Sequence, residues 1–385
     1  MLGEREGDPV ELIEREQQTR DTFRAFADKE IAPYADSFDQ QERIPAELIA
    51  RLARQAYLGA ALPKQFGGLG LDLDLYGVLH EELGRSCSSV RSLVTVQGMT
   101  AQAILKWGSP ELREVWLPKI ASGEVISAFA LSEPGVGSDA ASVETTATAD
   151  GDHYILNGTK KWITFGQIAN LFLVIARNEQ KPIALLVEAD TPGLNREPIT
   201  GMLGVRASML ATIKLTDCKV HKRNTVAKPG FGFSPVATTA LEHGRYCVAW
   251  GCVGIAQACL EACTQYVTQR KQFGNYLKDF QLIQQMITRM VCDVRAARAL
   301  CRQAAEAKSE NDPSAFTAIN IAKYFASLVA SRCAADAVQI HGAVGCSPES
   351  SVQRYFRDAK IMEIIEGSTQ IQEFVIADSF LRDFA

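Results

Sequence analysis

One carboxylate near the C-terminus is placed where it could act as a general base. Glu366 follows the apolar pair Ile364 and Ile365 and precedes Gly367 and Ser368 in the stretch IMEIIEGSTQIQEF. A carboxyl group held among apolar side chains has a raised pKa, which makes it a better base near neutral pH. The alternative is a solvated acid at the edge of a loop, and this stretch alone does not decide between the two.

The segment AFALSEPGVGSDAAS, residues 128–142, has the composition of a phosphate-binding turn. Pro134, Gly135 and Gly137 stop a helix, and Ser138 places a hydroxyl beside free backbone N–H groups. Such groups bind phosphate or pyrophosphate. An ordinary surface turn has the same composition, so the motif is not specific by itself.

Three further motifs have the residue types that contact a flat cofactor or its phosphates. KKWITFG places Trp162 and Thr164 at the end of a strand, RKQFGNYLKDFQ begins at Arg270, and QIHGAVG at 339–345 ends a helix in a glycine turn. Arginine binds phosphate through two parallel hydrogen bonds. Each motif also has an ordinary alternative, because aromatic strand ends are often core and a helix-terminal arginine often complements the helix dipole.

Composition excludes several classes of protein. The chain has 385 residues and a net charge of −5, which argues against a nucleic-acid partner. Apolar runs such as LFLVIA and IALLVEA are too short to span a bilayer, and the acidic N-terminus lacks the pattern of a signal peptide. We therefore expect a cytoplasmic protein with no membrane partner.

The cysteines and histidines do not form a recognisable ligand set. Ten cysteines include no CxxC pair, and the five histidines are scattered along the chain. Metal sites need clustered ligands, so we expect reduced, buried thiols and no metal.

The elements that must position these motifs fall into three blocks. Residues 1–122 show helical periodicity, residues 123–232 are strand-like, and residues 233–385 return to long amphipathic helices. Within the middle block, Asp-Gly and Asn-Gly in TTATADGDHYILNGTKKWITF are hairpin signals. LFLVIARNEQKPIALLVEA reads as two strands joined by a polar turn. The predicted order is α–β–α with a central all-β insert.

Taken together, these motifs resemble the acyl-CoA dehydrogenase family. SEPGVGSD, NGTKKWIT, RKQFG, QIHGAVG and RDAKI…IEGSTQIQ occur in the family's order, and the resemblance extends through essentially the whole chain. It implies an FAD-dependent enzyme, mainly α with a central β-barrel domain and a C-terminal four-helix bundle. It also implies a homodimer or homotetramer with FAD at subunit junctions.

The resemblance implies an FAD site made of three groups of residues. One contacts the flavin ring and pyrophosphate, a second contacts the FAD of a neighbouring subunit, and a third lies on the adenosine side. In that order the groups are Phe129, Leu131, Ser132, Ser138, Trp162 and Thr164; Arg270, Phe273 and Gln281; and Gln339, Gly342, Ser368 and Gln370.

By the same resemblance, Glu366 is the catalytic base. It would remove the α-proton of a thioester while a hydride leaves the β-carbon for flavin N5, with the oxyanion stabilised by hydrogen bonds. Gly367 would allow the turn that aims the carboxylate inward and would be a substrate contact. Thr369 and Gln372 have capping-box spacing for the next helix. A minority branch carries its base at the position of Gly244, which has no side chain here.

Arg91 is the most informative residue for the substrate. Glutaryl-CoA dehydrogenases have an arginine in a similar setting, paired with the distal carboxylate of the acyl group. Arg245 resembles a substrate-side contact, with Glu242 replacing the usual Asp, and Ile365 replaces a common aromatic residue. We expect a short polar or anionic acyl group; the alternative is that Arg91 extends to solvent.

The chain is also similar to homologues that make methoxymalonyl extender units for polyketides on an acyl carrier protein. The thioester partner is therefore acyl-CoA or an acyl carrier protein, and the electron acceptor is an electron-transfer flavoprotein or O2. A flavin oxidase or monooxygenase and a non-catalytic homologue are the competing functions. Intact Glu366, Thr164 and Ser138 argue against the last.

Overall fold

The computed structural model describes residues 9–382, with side chains from residue 16 onward. Its N-terminal block is helical. The helices are α1 (Pro9–Glu30), α2 (Ala35–Gln41), α3 (Ala46–Arg54), α4 (Leu73–Ser86), α5 (Ser88–Trp107) and α6 (Pro110–Ser122). Asp72 caps α4 by accepting a hydrogen bond from the Leu75 N–H (2.8 Å), which satisfies one free donor of the first turn. The helical prediction for this block is confirmed.

The middle block forms one eight-stranded sheet. Its strands are β1 (Ser127–Ala130), β2 (Thr146–Asp150), β3 (His153–Ile163), β4 (Leu171–Asn178), β5 (Lys181–Glu188), β6 (Leu194–Pro198), β7 (Ala211–His221) and β8 (Thr225–Val226). They are ordered β6-β7-β3-β2-β4-β5-β8, and β1 pairs in parallel with β4. Because β6 and β8 do not pair within the described residues, the expected closed barrel is not confirmed.

The two hairpin signals in this block have different outcomes. Gly151 has a φ of 54° in the β2–β3 turn, as the Asp-Gly signal predicts. The Asn-Gly signal is wrong, because Asn157 and Gly158 lie inside β3, where the register against β7 shifts at a bulge. A glycine in a strand marks a bulge as readily as a turn. The predicted β4–β5 hairpin is confirmed.

The C-terminal block packs around one central helix. Its elements are α7 (Thr238–Gln269), β9 (Lys271–Gln272), β10 (Asn275–Tyr276), α8 (Gln281–Ser309), α9 (Ala315–His341), α10 (Ala343–Cys346), α11 (Val352–Met362) and α12 (Thr369–Arg382). Helix α7 packs against α4, α5, α8 and α9. The helical segment Gly232–Gln269 is apolar and long enough to cross a bilayer. However, 72% of its most apolar window is buried inside the protein, as is usual for a core helix.

The thiols are unpaired. Eight of the ten cysteines are buried, while Cys292 and Cys346 are exposed, so the expectation of buried thiols is wrong for these two. Among the described residues, no group of three or more His, Cys, Asp or Glu side chains could hold a metal ion.

Candidate active site

Glu366 lies in the loop that joins α11 to α12, and the backbone of this loop is left-handed at two successive residues. Glu366 has a φ of 55° and Gly367 a φ of 95°. A non-glycine residue in this region is uncommon and costs about 1–3 kcal/mol, so surrounding contacts must hold it. We call residues 363–368 the base loop.

Three side chains donate to the carbonyl groups of the base loop. Arg245 Nε donates to the Glu366 carbonyl (3.0 Å), and Lys323 Nζ donates to the Gly367 carbonyl (2.6 Å). Gln372 Nε2 also donates to the Glu366 carbonyl (3.2 Å). The peptide groups on both sides of Gly367 are therefore fixed by donors from α7, α9 and α12.

The predicted capping box of α12 is wrong. Ser368 is the residue before the helix, and its Oγ accepts from the Ile371 N–H (3.4 Å). Thr369 is the first helical residue and bonds back to the Glu363 carbonyl. Gln372 is fully buried and donates to the Glu366 carbonyl in the base loop instead. The N-cap of α12 is therefore Ser368, one residue earlier than the spacing suggested.

The Glu366 carboxyl group is shielded from water. The residue as a whole is half-buried, but Oε2 has no contact with solvent and no hydrogen-bond partner among the described residues. Burial raises the pKa of Glu366 to about 7, against the opposing effect of Arg245, Lys323 and Arg91. A carboxyl group with this pKa can accept and release a proton near neutral pH.

Gly244 makes room for this carboxyl group. A Cβ at residue 244 would lie 2.7 Å from both Cδ and Oε2 of Glu366. The position that carries the base in the minority branch is therefore filled here by the Glu366 side chain itself. A side chain at residue 244 would require the Glu366 carboxyl group to move.

Arg91 is buried, with 1% of the residue exposed, so the alternative that it extends to solvent is wrong. Its Nη1 donates to Thr95 Oγ1 and its Nη2 to Ser92 Oγ, both at 3.0 Å. Its Nε has no partner, and no carboxylate forms an ion pair with it in the described part of the chain. Gly251 accommodates its stem, because a Cβ there would lie 2.6 Å from Arg91 Cδ.

A neutral polar cluster that sequence reasoning missed lies beside Arg91. Tyr76 Oη is 3.0 Å from His243 Nε2, and the Tyr76 and His80 rings are 4.6 Å apart. Both nitrogens of His80 are buried and without a protein partner within the described residues. Burial lowers the pKa of His243 to about 3 and the pKa of His80 well below its usual value. The two imidazoles are therefore neutral at neutral pH, whereas Arg91 beside them is charged.

Of the other three predicted substrate contacts, Arg245 and Glu242 lie at the N-terminal end of α7. Gly367 lies in the base loop, and its contact with substrate stays a prediction. Arg245 is 8% exposed, and its Nε donates a hydrogen bond to the Glu366 carbonyl of the base loop. Its guanidinium carbon lies 5.8 Å from the centroid of the Phe316 ring. Glu242 forms its ion pair with Lys308 instead. Contact of either residue with substrate stays a prediction.

The predicted flavin-ring contacts are tied together by a buried ion pair. Lys160 Nζ donates to the Leu131 carbonyl (2.9 Å) and to Glu133 Oε1 (2.7 Å), and the Lys161 N–H donates to the Ser132 carbonyl (2.9 Å). Lys160 has no solvent exposure. The residue types and spacing of the loop did not reveal this cross-link.

The surface next to this ion pair fits a flat ring and its phosphates. Trp162 has a φ of 64° and is 48% exposed, which presents an indole face at the end of β3. Thr164 and Phe129 are half-buried, and Ser138 is exposed in an open loop. Around Gly137, no heavy atom lies within 4 Å of where a Cβ would be. This space and donor set suit a flavin ring and a pyrophosphate.

The remaining predicted FAD contacts are carried by the C-terminal helices. Phe273 is 91% exposed on the β9–β10 turn, flanked by exposed Arg270 and Gln281. Gln339 and Gly342 are exposed at the end of α9. Ser368 and Gln370 lie at the start of α12. Contact with FAD, within the chain or from a neighbouring subunit, stays a prediction for all of them.

Models of the N-terminal, middle and C-terminal domains of acyl-CoA dehydrogenases match residues 13–124, 128–218 and 230–381. The short-chain specific acyl-CoA dehydrogenase of Mus musculus mitochondria is 37% identical over 97% of this chain and 92% of its own length.

Solved structures agree with this match. The glutaryl-coenzyme A dehydrogenase complex with glutaryl-CoA superimposes with a TM-score of 0.91 at 34% identity, over 95% of each chain. FkbI, described as acting in the biosynthesis of a methoxymalonyl extender unit, gives 0.87 at 31% identity over 94% of this chain and 99% of its own. The prolyl acyl carrier protein oxidase AnaB gives 0.90 at 27% identity over 95% and 98%.

The cofactor and the class of reaction follow from these matches. A glutaryl-CoA dehydrogenase of Mycobacterium smegmatis, 28% identical with a TM-score of 0.91 over 95% of this chain and 94% of its own, is in complex with FADH2. With the exposed Trp162 face, this supports FAD as the cofactor and a CH–CH oxidoreductase activity. The chain therefore belongs to the acyl-CoA dehydrogenase family.

Proposed function

We propose that this enzyme dehydrogenates a short acyl thioester whose distal end is anionic or strongly polar. The observation that carries the proposal is Arg91, a fully buried cation without a carboxylate partner among the described residues. A buried unpaired charge is costly, and an anionic end on the bound acyl group would offset that cost.

Glu366 is the base in this proposal. Its shielded Oε2 takes the α-proton of the thioester, and the electron pair of that C–H bond becomes the new carbon–carbon double bond. Bound FAD supplies the acceptor for the hydride that leaves the β-carbon. Because burial raises the pKa of Glu366 to about 7, the carboxylate is a stronger base than a solvated glutamate.

The relatives support a small acyl group. The mouse relative is named short-chain specific, and one structural neighbour binds glutaryl-CoA, whose acyl chain ends in a carboxylate. The neutral Tyr76, His80 and His243 beside Arg91 add polar surface to the same buried region. A long alkyl chain would bury these groups and Arg91 against hydrocarbon.

The carrier of the acyl group is coenzyme A or an acyl carrier protein. AnaB, a prolyl acyl carrier protein oxidase, supports including a carrier protein, and FkbI supports polyketide extender-unit biosynthesis. The proposal includes a cytoplasmic homodimer or homotetramer and an electron-transfer flavoprotein as acceptor. Oxidation by O2 is the second candidate, since AnaB is described as an oxidase.

Anaerobic bleaching of bound flavin by glutaryl-CoA tests the proposal. Glu366→Gln should keep the cofactor but lose bleaching by more than about 1000-fold, as for the loss of a general base. Glu363→Gln is the matched control, because its carboxyl group lies in the same loop but bonds Ser331 and Lys360. Unchanged bleaching in Glu366→Gln would refute the base role. Repeating the assay with glutaryl on an acyl carrier protein identifies the carrier.

A further inference from the structure

The base loop is held by a buried lysine with no predicted role. Lys323 on α9 is 0% exposed, and its Nζ lies 2.6 Å from the Gly367 carbonyl oxygen. Ile319, Ala322 and Ala326 on the same helix are also buried. The polar residues Asn320 and Ser327 of this helix are fully buried as well. A fully buried lysine usually has a specific partner.

We propose that Lys323 is a positioning residue that fixes the base loop and thereby the Glu366 carboxyl group. The proposal rests on Glu366 being the base. With Arg245 and Gln372, Lys323 holds two successive carbonyl groups, and this stabilises the left-handed backbone at Glu366 and Gly367. A carboxylate on a loop fixed in this way is aimed consistently at the α-carbon.

The charged groups around Glu366 come from three helices. Arg245 on α7, Lys323 on α9 and Arg91 on α5 all lower its pKa, against the larger effect of burial. Cys247 on α7 is a neutral thiol here, because burial raises its pKa to about 12. Burial lowers the pKa of all three cations, and it lowers that of Lys323 to about 8.

The groups that face Lys323 are mixed in sign. The acids Glu366 and Glu363 favour its charged form, while Arg245 opposes it. Cys252 on α7 is a neutral thiol, because burial raises its pKa to about 12. At pH 7 the Lys323 side chain is therefore charged, and its ammonium group donates to the carbonyl of Gly367, the residue that follows the base. Removing it takes away a cation that lowers the pKa of Glu366, so this pKa should rise.

Two substitutions separate the charge from the hydrogen bond. Lys323→Met removes both, whereas Lys323→Gln removes the charge and keeps a donor. The measurement is the anaerobic rate of flavin reduction by glutaryl-CoA against pH, with flavin content recorded for each holoenzyme. In the wild type the acid limb should lie near pH 7.

Both variants should move the acid limb to higher pH by about one unit. This is the lower end of the range for loss of one opposite charge, because Arg245 and Arg91 remain. Lys323→Met should also lose about tenfold in the limiting rate at high pH, and Lys323→Gln less. Lys360→Met, which removes an exposed lysine paired with Glu363, should leave the limb unchanged.

An unmoved acid limb with an unchanged limiting rate in both variants would overturn the proposal. If Lys323→Met fails to retain FAD, the test rests on Lys323→Gln: a shifted acid limb supports the proposal and an unmoved one overturns it. Failure here is distinct from failure of the base assignment. If only the role of Lys323 is wrong, Glu366→Gln still abolishes flavin bleaching. If the base assignment is wrong, Glu366→Gln leaves bleaching intact.

Discussion

Two buried cations in this molecule have opposite surroundings. Lys160 in the sheet domain lies 2.7 Å from Glu133 and also bonds the Leu131 carbonyl, so its charge is compensated within the chain. Arg91 in the helical domain bonds the hydroxyls of Ser92 and Thr95 but, within residues 9–382, forms no ion pair. The first arrangement is complete in the free protein, whereas the second leaves a buried guanidinium Nε without a hydrogen-bond partner among the described residues.

The two arrangements fit different roles, a structural role for Lys160 and a ligand-binding role for Arg91. A compensated buried pair mainly stabilises the elements that it connects, here β3 and the segment before the Ser138 loop. An uncompensated buried cation lowers the stability of the free protein, and a bound anion would offset that cost. The two residues should therefore respond in opposite ways to removal of their charge.

Lys160→Met should have the largest effect on stability. It leaves the Glu133 carboxylate buried, with only the N–H groups of Glu144 and Thr145 and the Thr145 hydroxyl as donors. The free energy of unfolding of the holoenzyme should fall by about 3 kcal/mol. Urea unfolding followed by circular dichroism measures this, and flavin content should fall as well.

The exposed pair Lys214–Glu197 is the matched control for that experiment. Its N–O distance of 2.6 Å is as short as in the buried pair, but both side chains are about half exposed. Lys214→Met should cost less than about 1 kcal/mol. Equal costs for the two lysines would contradict the distinction between buried and exposed pairs.

Arg91→Met should have a small effect on stability. The hydroxyls that accept from Arg91 also donate to the backbone, Ser92 to the Ser88 carbonyl and Thr95 to the carbonyl of residue 91. Each hydroxyl therefore keeps a partner. The unfolding free energy should stay within about 1 kcal/mol of the wild type, or rise. A loss of 3 kcal/mol or more would make Arg91 a structural residue.

Much of the fold could be predicted from the sequence, because periodicity and turn residues act locally. The α–β–α order and the hairpin at Gly151 follow from such signals. The bulge at Gly158 could not be distinguished from a turn, since β3 continues through it only by pairing with β7, which is distant in sequence. The open sheet, likewise, depends on which edge strands pair.

The site could be predicted only in part, for a similar reason. Glu366 and Arg91 stand out by residue type and resemblance, but their surroundings are assembled by tertiary packing. Lys323 gave a usable signal, a lysine at a helix position whose neighbours one turn away include Ile319 and Ala326, which the sequence analysis did not use. Nothing local to Gly244 indicates that its missing side chain makes space for the Glu366 carboxyl group.

The central claim is that buried Arg91 selects an acyl group with an anionic end. The most direct test compares the anaerobic rates of flavin reduction by glutaryl-CoA and butyryl-CoA in the wild type and in Arg91→Met. We predict that the wild type prefers glutaryl-CoA, and that the substitution lowers this preference by about 100-fold, as expected for loss of a buried charge pair. The same ratio of rates in both proteins would contradict the account.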